Sequence, residues 1–168
     1  DALIATYGGK ACVELVGHLP LEPLLKSCKP IIGFSDVCVI ENAITAGTGL
    51  TTFYGPNILA KLEDSKWGDL RSLRRDHPEF GIQKVFGNAE DAGARPIRSG
   101  KAQGRLFGGN LECFIVGNLL TKIDLSFFRR GIFFWESSGL TPREIHQLLV
   151  ALDKAGFLQS ISGMIIGD

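Results

Sequence analysis

Several things are scarce in this 168-residue chain, and each scarcity closes off a class of function. No apolar run comes near the roughly 18 residues a membrane-spanning helix needs, and the opening residues carry no signal-peptide pattern. Neither sign of charge is in excess: 18 Lys and Arg balance 18 Asp and Glu. The chain therefore has no general electrostatic grip on nucleic acid or on an anionic membrane, and a small molecule or peptide is the expected partner. Cysteine is limited to Cys12, Cys28, Cys38 and Cys113, with no C-x-x-C pair and no histidine at metal-ligand spacing. That pattern argues against a zinc site or a disulfide framework. It fits reduced thiols in a cytoplasmic protein, each thiol acting as a small buried apolar group. A G-x-G-x-x-G turn and a P-loop lysine are also missing, so nucleotide cradling has little support. There is no internal repeat and no low-complexity tract.

What is present is ordinary in bulk, with 45% hydrophobic and 21% charged residues, and long enough to bury a core. The order of segments is more informative. Residues 2–6 (ALIAT) form a short apolar run ending at Gly8-Gly9. Residues 10–18 are helix-compatible, and Pro20 and Pro23 are expected to break up the stretch from 19 to 29. Pro30 opens a second apolar run, Ile31 to Phe34. Residues 36–46 then carry Val37, Ile40 and Ile44 at helical spacing, with Val39 and Ala43 widening the stripe and Gly47 and Gly49 as the stop. Leu50 to Tyr54 is β-rich. Strand and helix alternating at this spacing, with strands that read as continuous apolar runs, predict an α/β fold: a parallel sheet flanked by helices.

Composition changes from about Lys61 to Gly100, where charged and glycine-rich stretches read as a connection with a helix around 67–75. The expected division is residues 1–62 as part of an N-terminal α/β domain, 63–100 as connector and 101–168 as part of a smaller, β-rich α+β domain. In the last, Gly108-Gly109-Asn110 reads as a glycine turn and GIFFWE as a strand ending in a carboxylate. Thr141 to Ala155 is the clearest helix. Thr141 can cap it, Pro142 stands at its first position, Glu144 completes a T-x-x-E capping box, and Ile145, Leu148, Leu149 and Leu152 form its buried stripe. Both ends read as cut, since the chain opens on a strand and closes on one, so it is expected to be an interior piece of a longer protein.

The candidate chemistry centres on IIGFSDVCVIENAI. A strand that runs straight into a helix must bend sharply, and Ser35 stands on the bend. Its hydroxyl could be held above the sheet edge near the unpaired amides of the helix's first turn, with Asp36 N–H as the natural donor to an oxyanion. It could equally do no more than cap the helix, since serine is among the best caps. Asp36 reads as a first-turn carboxylate favoured by the helix dipole rather than as a base. Gly8-Gly9 and Gly108-Gly109-Asn110 either present backbone amides to a substrate or simply make tight turns. Glu136 ends the strand IFFW and is either solvated or an orienting acid. His18, His77 and His146 are all poorly placed to serve as the base a serine nucleophile needs.

Taken in order, DALIATYGG, KPIIGFSDVCVIENAI, GLTTFYGPN, GKAQGRLFGGNLE, IFFWE and TPREIHQLLVALDKAGFLQSISGMIIGD resemble the LD-carboxypeptidase family of serine peptidases, which includes microcin C immunity peptidases. The combination of GFSD, FYGP and GGNL carries the resemblance through nearly the whole chain. It implies a Ser–Glu–His triad whose nucleophile is Ser35 and whose acid is Glu136. It also implies oxyanion donors from Gly9 and Asp36, and site-lining roles for Gly109 and Asn110. The family's histidine lies beyond the strand corresponding to GMIIGD, so this chain carries two triad members of three and is expected to be inactive alone. The implied reaction is acyl transfer to water at an amide of a murein peptide or a peptidyl-nucleotide, with no metal or organic cofactor. Two other readings remain: a non-catalytic α/β ligand-binding module, and a glutamine-amidotransferase-like enzyme. The second would want a cysteine at the bend, whereas Cys38 lies three residues into the helix. An unpaired edge on the first sheet would favour association with another copy, giving a homo-oligomer.

Overall fold

The computed structural model describes residues 2–27, 29–55, 57–58, 95–121 and 124–167. The first half contains β1 (Leu3–Ile4), α1 (Cys12–Leu15), a 3-10 turn (Val16–His18), α2 (Leu21–Ser27), β2 (Ile31–Gly33), α3 (Val37–Thr48) and β3 (Phe53–Tyr54). The second half contains β4 (Leu106–Asn110), α4 (Leu111–Thr121), a 3-10 turn (Leu125–Phe128), β5 (Ile132–Glu136), α5 (Pro142–Lys154) and β6 (Gly163–Ile166). Each half builds a three-stranded sheet, ordered β1-β2-β3 and β4-β5-β6, and every pairing is parallel.

The parallel α/β arrangement expected of the first half is therefore there. The second half, expected to be β-rich, is itself parallel with α4 and α5 at its crossovers. Parallel neighbours need such crossovers, because a tight turn can only reverse the chain. Gly108 and Gly109 do not form the expected turn. They lie inside β4, paired with Phe134 and Trp135 of β5. Pro23 does not break the chain either, since it is the third residue of α2. In the first turn a helix has no intrahelical acceptor to lose, so the missing N–H of proline costs little there. The helix-compatible stretch 10–18 divides into α1 and the 3-10 turn. The helix expected around 67–75, and Cys28 and His77, lie outside the described residues. Among the described residues no helix is long and apolar enough to cross a membrane.

Two elements position the site. Helix α3 buries Val37, Cys38, Val39, Glu41, Asn42, Ala43 and Ile44 and ends at Gly49 in a left-handed cap, the conformation glycine adopts without a Cβ clash. It packs against β2, β3, β4 and α4, so it is the part shared by both halves. Asn42 ties it down: Nδ2 donates to Gly108 O (2.7 Å) and Cys38 O (2.6 Å), and Oδ1 accepts from Gly108 N–H (3.2 Å). The other element is the aromatic core under β4 and β5, made of Phe107, Phe114, Phe128, Phe133, Trp135 and Phe157. Phe107 stacks on Phe128 at 4.5 Å between centroids, and Phe133 meets Phe157 edge-on at 5.2 Å. Helix α5 covers this core from outside with Ile145, Leu148, Leu149 and Leu152. Its capping box forms as the sequence predicts, with Glu144 Oε2 accepting from Thr141 N–H at 2.8 Å.

Candidate active site

Ser35 sits between β2 and α3 with φ 67. Among the described residues only Arg130 is another non-glycine at positive φ. An L-residue held there costs on the order of 1–3 kcal/mol and persists only where its surroundings impose it. The imposing contact is visible. A Cβ at Gly33 would come within 2.3 Å of Val37 Cγ1, so only glycine lets the helix start this close to the strand. Nor does Ser35 cap the helix: the N-cap position belongs to Asp36, and no side chain makes a capping hydrogen bond there.

Asp36 is buried, at 4% exposure, and its carboxylate turns away from its own helix. Oδ1 accepts from Gly9 N–H (2.6 Å) and Oδ2 from Cys12 N–H (3.2 Å), which fastens the Gly8-Gly9 turn and the start of α1 to the bend. Gly8 stands so near that a Cβ there would be 2.9 Å from Ser35 Cβ. The Gly9 amide, expected as an oxyanion donor, is thus engaged by Asp36. The Asp36 N–H donates to no acceptor among the described residues.

Glu136 ends β5 at 9% exposure, opposite Asn110 in the strand register. It lies across a single side chain from the bend. Tyr54, the last residue of β3, accepts from Ser35 N–H (2.9 Å) and donates to Glu136 Oε1 (2.6 Å) through the same hydroxyl. Its ring packs between Phe34 (5.1 Å) and Phe134 (5.5 Å). Burial, then the Glu136 carboxylate, push the Tyr54 phenol well up from its ordinary value, so it remains a donor.

Gly109 and Asn110 serve this junction from β4. A Cβ on Gly109, whose φ is 132, would lie 2.3 Å from Cys38 Cβ and 3.2 Å from Tyr54 Cε2, so glycine here lets α3 and Tyr54 approach β4. Asn110 Oδ1 accepts from Cys113 N–H (3.1 Å) at the start of α4. The structure therefore brings Ser35, Glu136 and Gly109 against Tyr54, with Gly9 bound to Asp36 beside the bend and Asn110 opposite Glu136 in the strand register.

The described histidines do not join them. His18 and His146 are exposed, and neither is hydrogen-bonded to Ser35 or Glu136. The thiols are poor nucleophiles. Burial and the Asp36 carboxylate push Cys12 up to about 12, burial and the same carboxylate push Cys113 up to about 11, and burial raises Cys38, which donates to Asn110 O at 3.9 Å. Among the described residues no group of three or more His, Cys, Asp or Glu side chains could hold a metal ion.

Three contributors escaped the reading of the sequence as individual residues. Tyr54 had a usable signal, because in a parallel sheet the residue ending the strand beside the bend lies on the same edge. Asn42 also had one, as a polar residue within an apolar helical stripe. Asn57, whose Oδ1 accepts from Phe34 N–H (3.0 Å), had none beyond its place two residues after a glycine.

The fold and this junction define a parallel α/β protein with a serine held on a strand-to-helix elbow and a carboxylate from a second sheet facing it. Family models narrow that class: the LD-carboxypeptidase N-terminal domain matches residues 1–55 and the LD-carboxypeptidase C-terminal domain residues 103–168. The chain belongs to the LD-carboxypeptidase family. It is 26% identical to the probable murein peptide carboxypeptidase of Bacillus subtilis, over 99% of this chain and 51% of that protein. It is 25% identical to the microcin C7 self-immunity protein MccF of Escherichia coli, over 98% of this chain and 55% of that protein. The chain thus spans about half the length of the curated relatives it matches. Among solved structures, MccF bound to aspartyl sulfamoyl adenosine superposes with a TM-score of 0.72 at 24% identity, covering 99% of this chain and 57% of MccF. Muramoyltetrapeptide carboxypeptidase from Oxalobacter formigenes gives 0.67 at 24% identity, covering 100% and 55%. These two superpositions support the fold.

Proposed function

We propose that the protein containing this chain is a serine hydrolase that cleaves an amide bond of a small peptide-like substrate, with Ser35 as nucleophile and Glu136 as the acid that orients its base. The observation that carries this reading is the backbone of Ser35: a non-glycine residue in the left-handed region, at a bend its side chain does not cap, bridged by one tyrosine to a buried carboxylate. The same observation weighs against a ligand-binding module in which Ser35 is only a cap.

In the proposed reaction Ser35 Oγ attacks the amide carbonyl while a histidine supplied by another part of the protein takes the hydroxyl proton. That proton passes to the departing amine, and water, activated by the same imidazole, releases the acyl group. Glu136 holds the imidazole in the productive tautomer. Asp36 N–H receives the oxyanion, Gly9 walls that pocket, and Gly109 and Asn110 set the acid's distance from the elbow.

A murein peptide is one candidate substrate class, from the relatives named carboxypeptidases. The solved complexes of MccF with aspartyl sulfamoyl adenosine and glutamyl sulfamoyl guanosine offer the other, an aminoacyl or peptidyl nucleotide. A cytoplasmic setting, with Cys12, Cys38 and Cys113 free, and self-association through a sheet edge belong to the same proposal; light scattering that gave only monomer would remove the latter.

The test is labelling of the full-length protein with a fluorophosphonate, followed by peptide mapping. Modification at Ser35, together with loss of amide cleavage in Ser35→Ala, is the expected result. Undiminished turnover by Ser35→Ala would overturn the reading.

A further inference from the structure

We infer that Tyr54 is the positioning residue of this site, its hydroxyl fixing both the elbow and the acid. The inference rests on the hydrolase reading above and adds to it a residue that reading does not need.

The geometry is a two-bond relay through one oxygen. Tyr54 Oη accepts from Ser35 N–H at 2.9 Å, and its proton points to Glu136 Oε1 at 2.6 Å. The first bond holds the peptide that enters Ser35, whose φ of 67 is the strained angle. The second occupies one carboxylate oxygen and leaves Oε2, which accepts from no donor among the described residues, as the one free to take an imidazole N–H. A carboxylate with one oxygen tethered has one preferred rotation, so the base it orients has one preferred place. Tyr54 bridges residues 82 positions apart in sequence, and Phe34 and Phe134 clamp its ring from the two sheets. Gly109 is the condition for the arrangement, since any Cβ there would press on the Tyr54 ring and on Cys38. Tyr54 touches neither the carbonyl nor the water, so its effect must pass through Ser35 and Glu136.

The experiment compares wild type, Tyr54→Phe, Glu136→Gln and the double variant in the full-length protein, using a murein tetrapeptide and aspartyl sulfamoyl adenosine as probes. Phenylalanine keeps the ring packing, so the melting temperature should change little. On whichever probe the wild type cleaves, kcat should fall roughly 10- to 100-fold with KM nearly unchanged, the scale of a displaced catalytic group. Without the phenol, Glu136 bears more of its charge toward the imidazole, so the acidic limb of the kcat/KM profile should move up by about half a pH unit. In the Glu136→Gln background the same change should cost several-fold less, because the two side chains act as one unit. Wild-type kcat and an unmoved acidic limb in Tyr54→Phe, with Ser35→Ala inactive, would overturn the positioning role and leave the hydrolase standing. So would fully additive losses in the double variant. Undiminished turnover by Ser35→Ala would remove the hydrolase reading and this inference with it.

Discussion

The two halves of the molecule divide reactivity from stability. In the first half α1, the 3-10 turn after it and α2 bury no residue, while four polar side chains, Asp36, Glu41, Asn42 and Asn57, are buried. In the second half six aromatic rings and Leu111, Leu152 make a continuous core, and among the described polar and charged residues only Asn110 and Glu136 are buried as whole side chains. A strained backbone and several inward-facing polar groups are costly, and they persist only when something else holds the fold. Here that is the aromatic core, reached through α3, Asn42 and the glycines of β4.

The contrast can be broken from either side. The largest effect belongs to the elbow. In the full-length protein Ser35→Ala should reduce turnover at least about 10,000-fold. Ser35→Gly should do the same while raising stability by about 1 kcal/mol, because glycine relieves the positive φ. A Ser35→Gly variant that melts lower than wild type would show that the bend is not strained.

Next comes the core. Phe133, with no exposure, lies in ring contact with Phe107, Phe114 and Phe157. Phe133→Ala should cost about 3–5 kcal/mol in urea unfolding and carry the elbow's structure with it. If fluorophosphonate labelling survived at denaturant concentrations that melt the second half, the dependence of one half on the other would be lost.

The junction between the halves comes third. Gly109→Ala places a Cβ 2.3 Å from Cys38 Cβ at a φ of 132, so about 1–3 kcal/mol should be lost from strain and overpacking. Trimming the other side with Cys38→Gly should restore part of it.

The smallest effect tests the buried acid of the first half. Glu41 is 3% exposed and its Oε1 has no partner. Burial raises its pKa well above the ordinary 4.5, only partly offset by the Gly33 N–H. A raised carboxyl pKa contributes stability that is complete below about pH 4.5 and is lost as pH rises through the folded-state value. Glu41→Gln should therefore match wild type near pH 4 and exceed it by about 1–2 kcal/mol at pH 8. Parallel thermal-melting profiles for the two proteins would refute it.

Some of this architecture is written locally. The cap of α5 needs only Thr141, Pro142 and Glu144 in adjacent positions, and it forms as their chemistry predicts. The bend at Ser35 needs an apolar strand, a glycine and a helical stripe within fourteen residues, and the motif order resembled one family closely enough to single out Glu136. Other features had no local trace. The parallel course of the second sheet was missed because glycines inside a strand mimic a turn, and nothing nearby says that Cys38 and Tyr54 will press against them. Asn42 and Gly108 are 66 residues apart, and Tyr54 and Glu136 are 82 apart. Spacing and capping are short-range interactions that a few neighbouring side chains can encode. Close approach and a hydrogen bond between distant segments exist only once the chain has condensed and the two sheets have met.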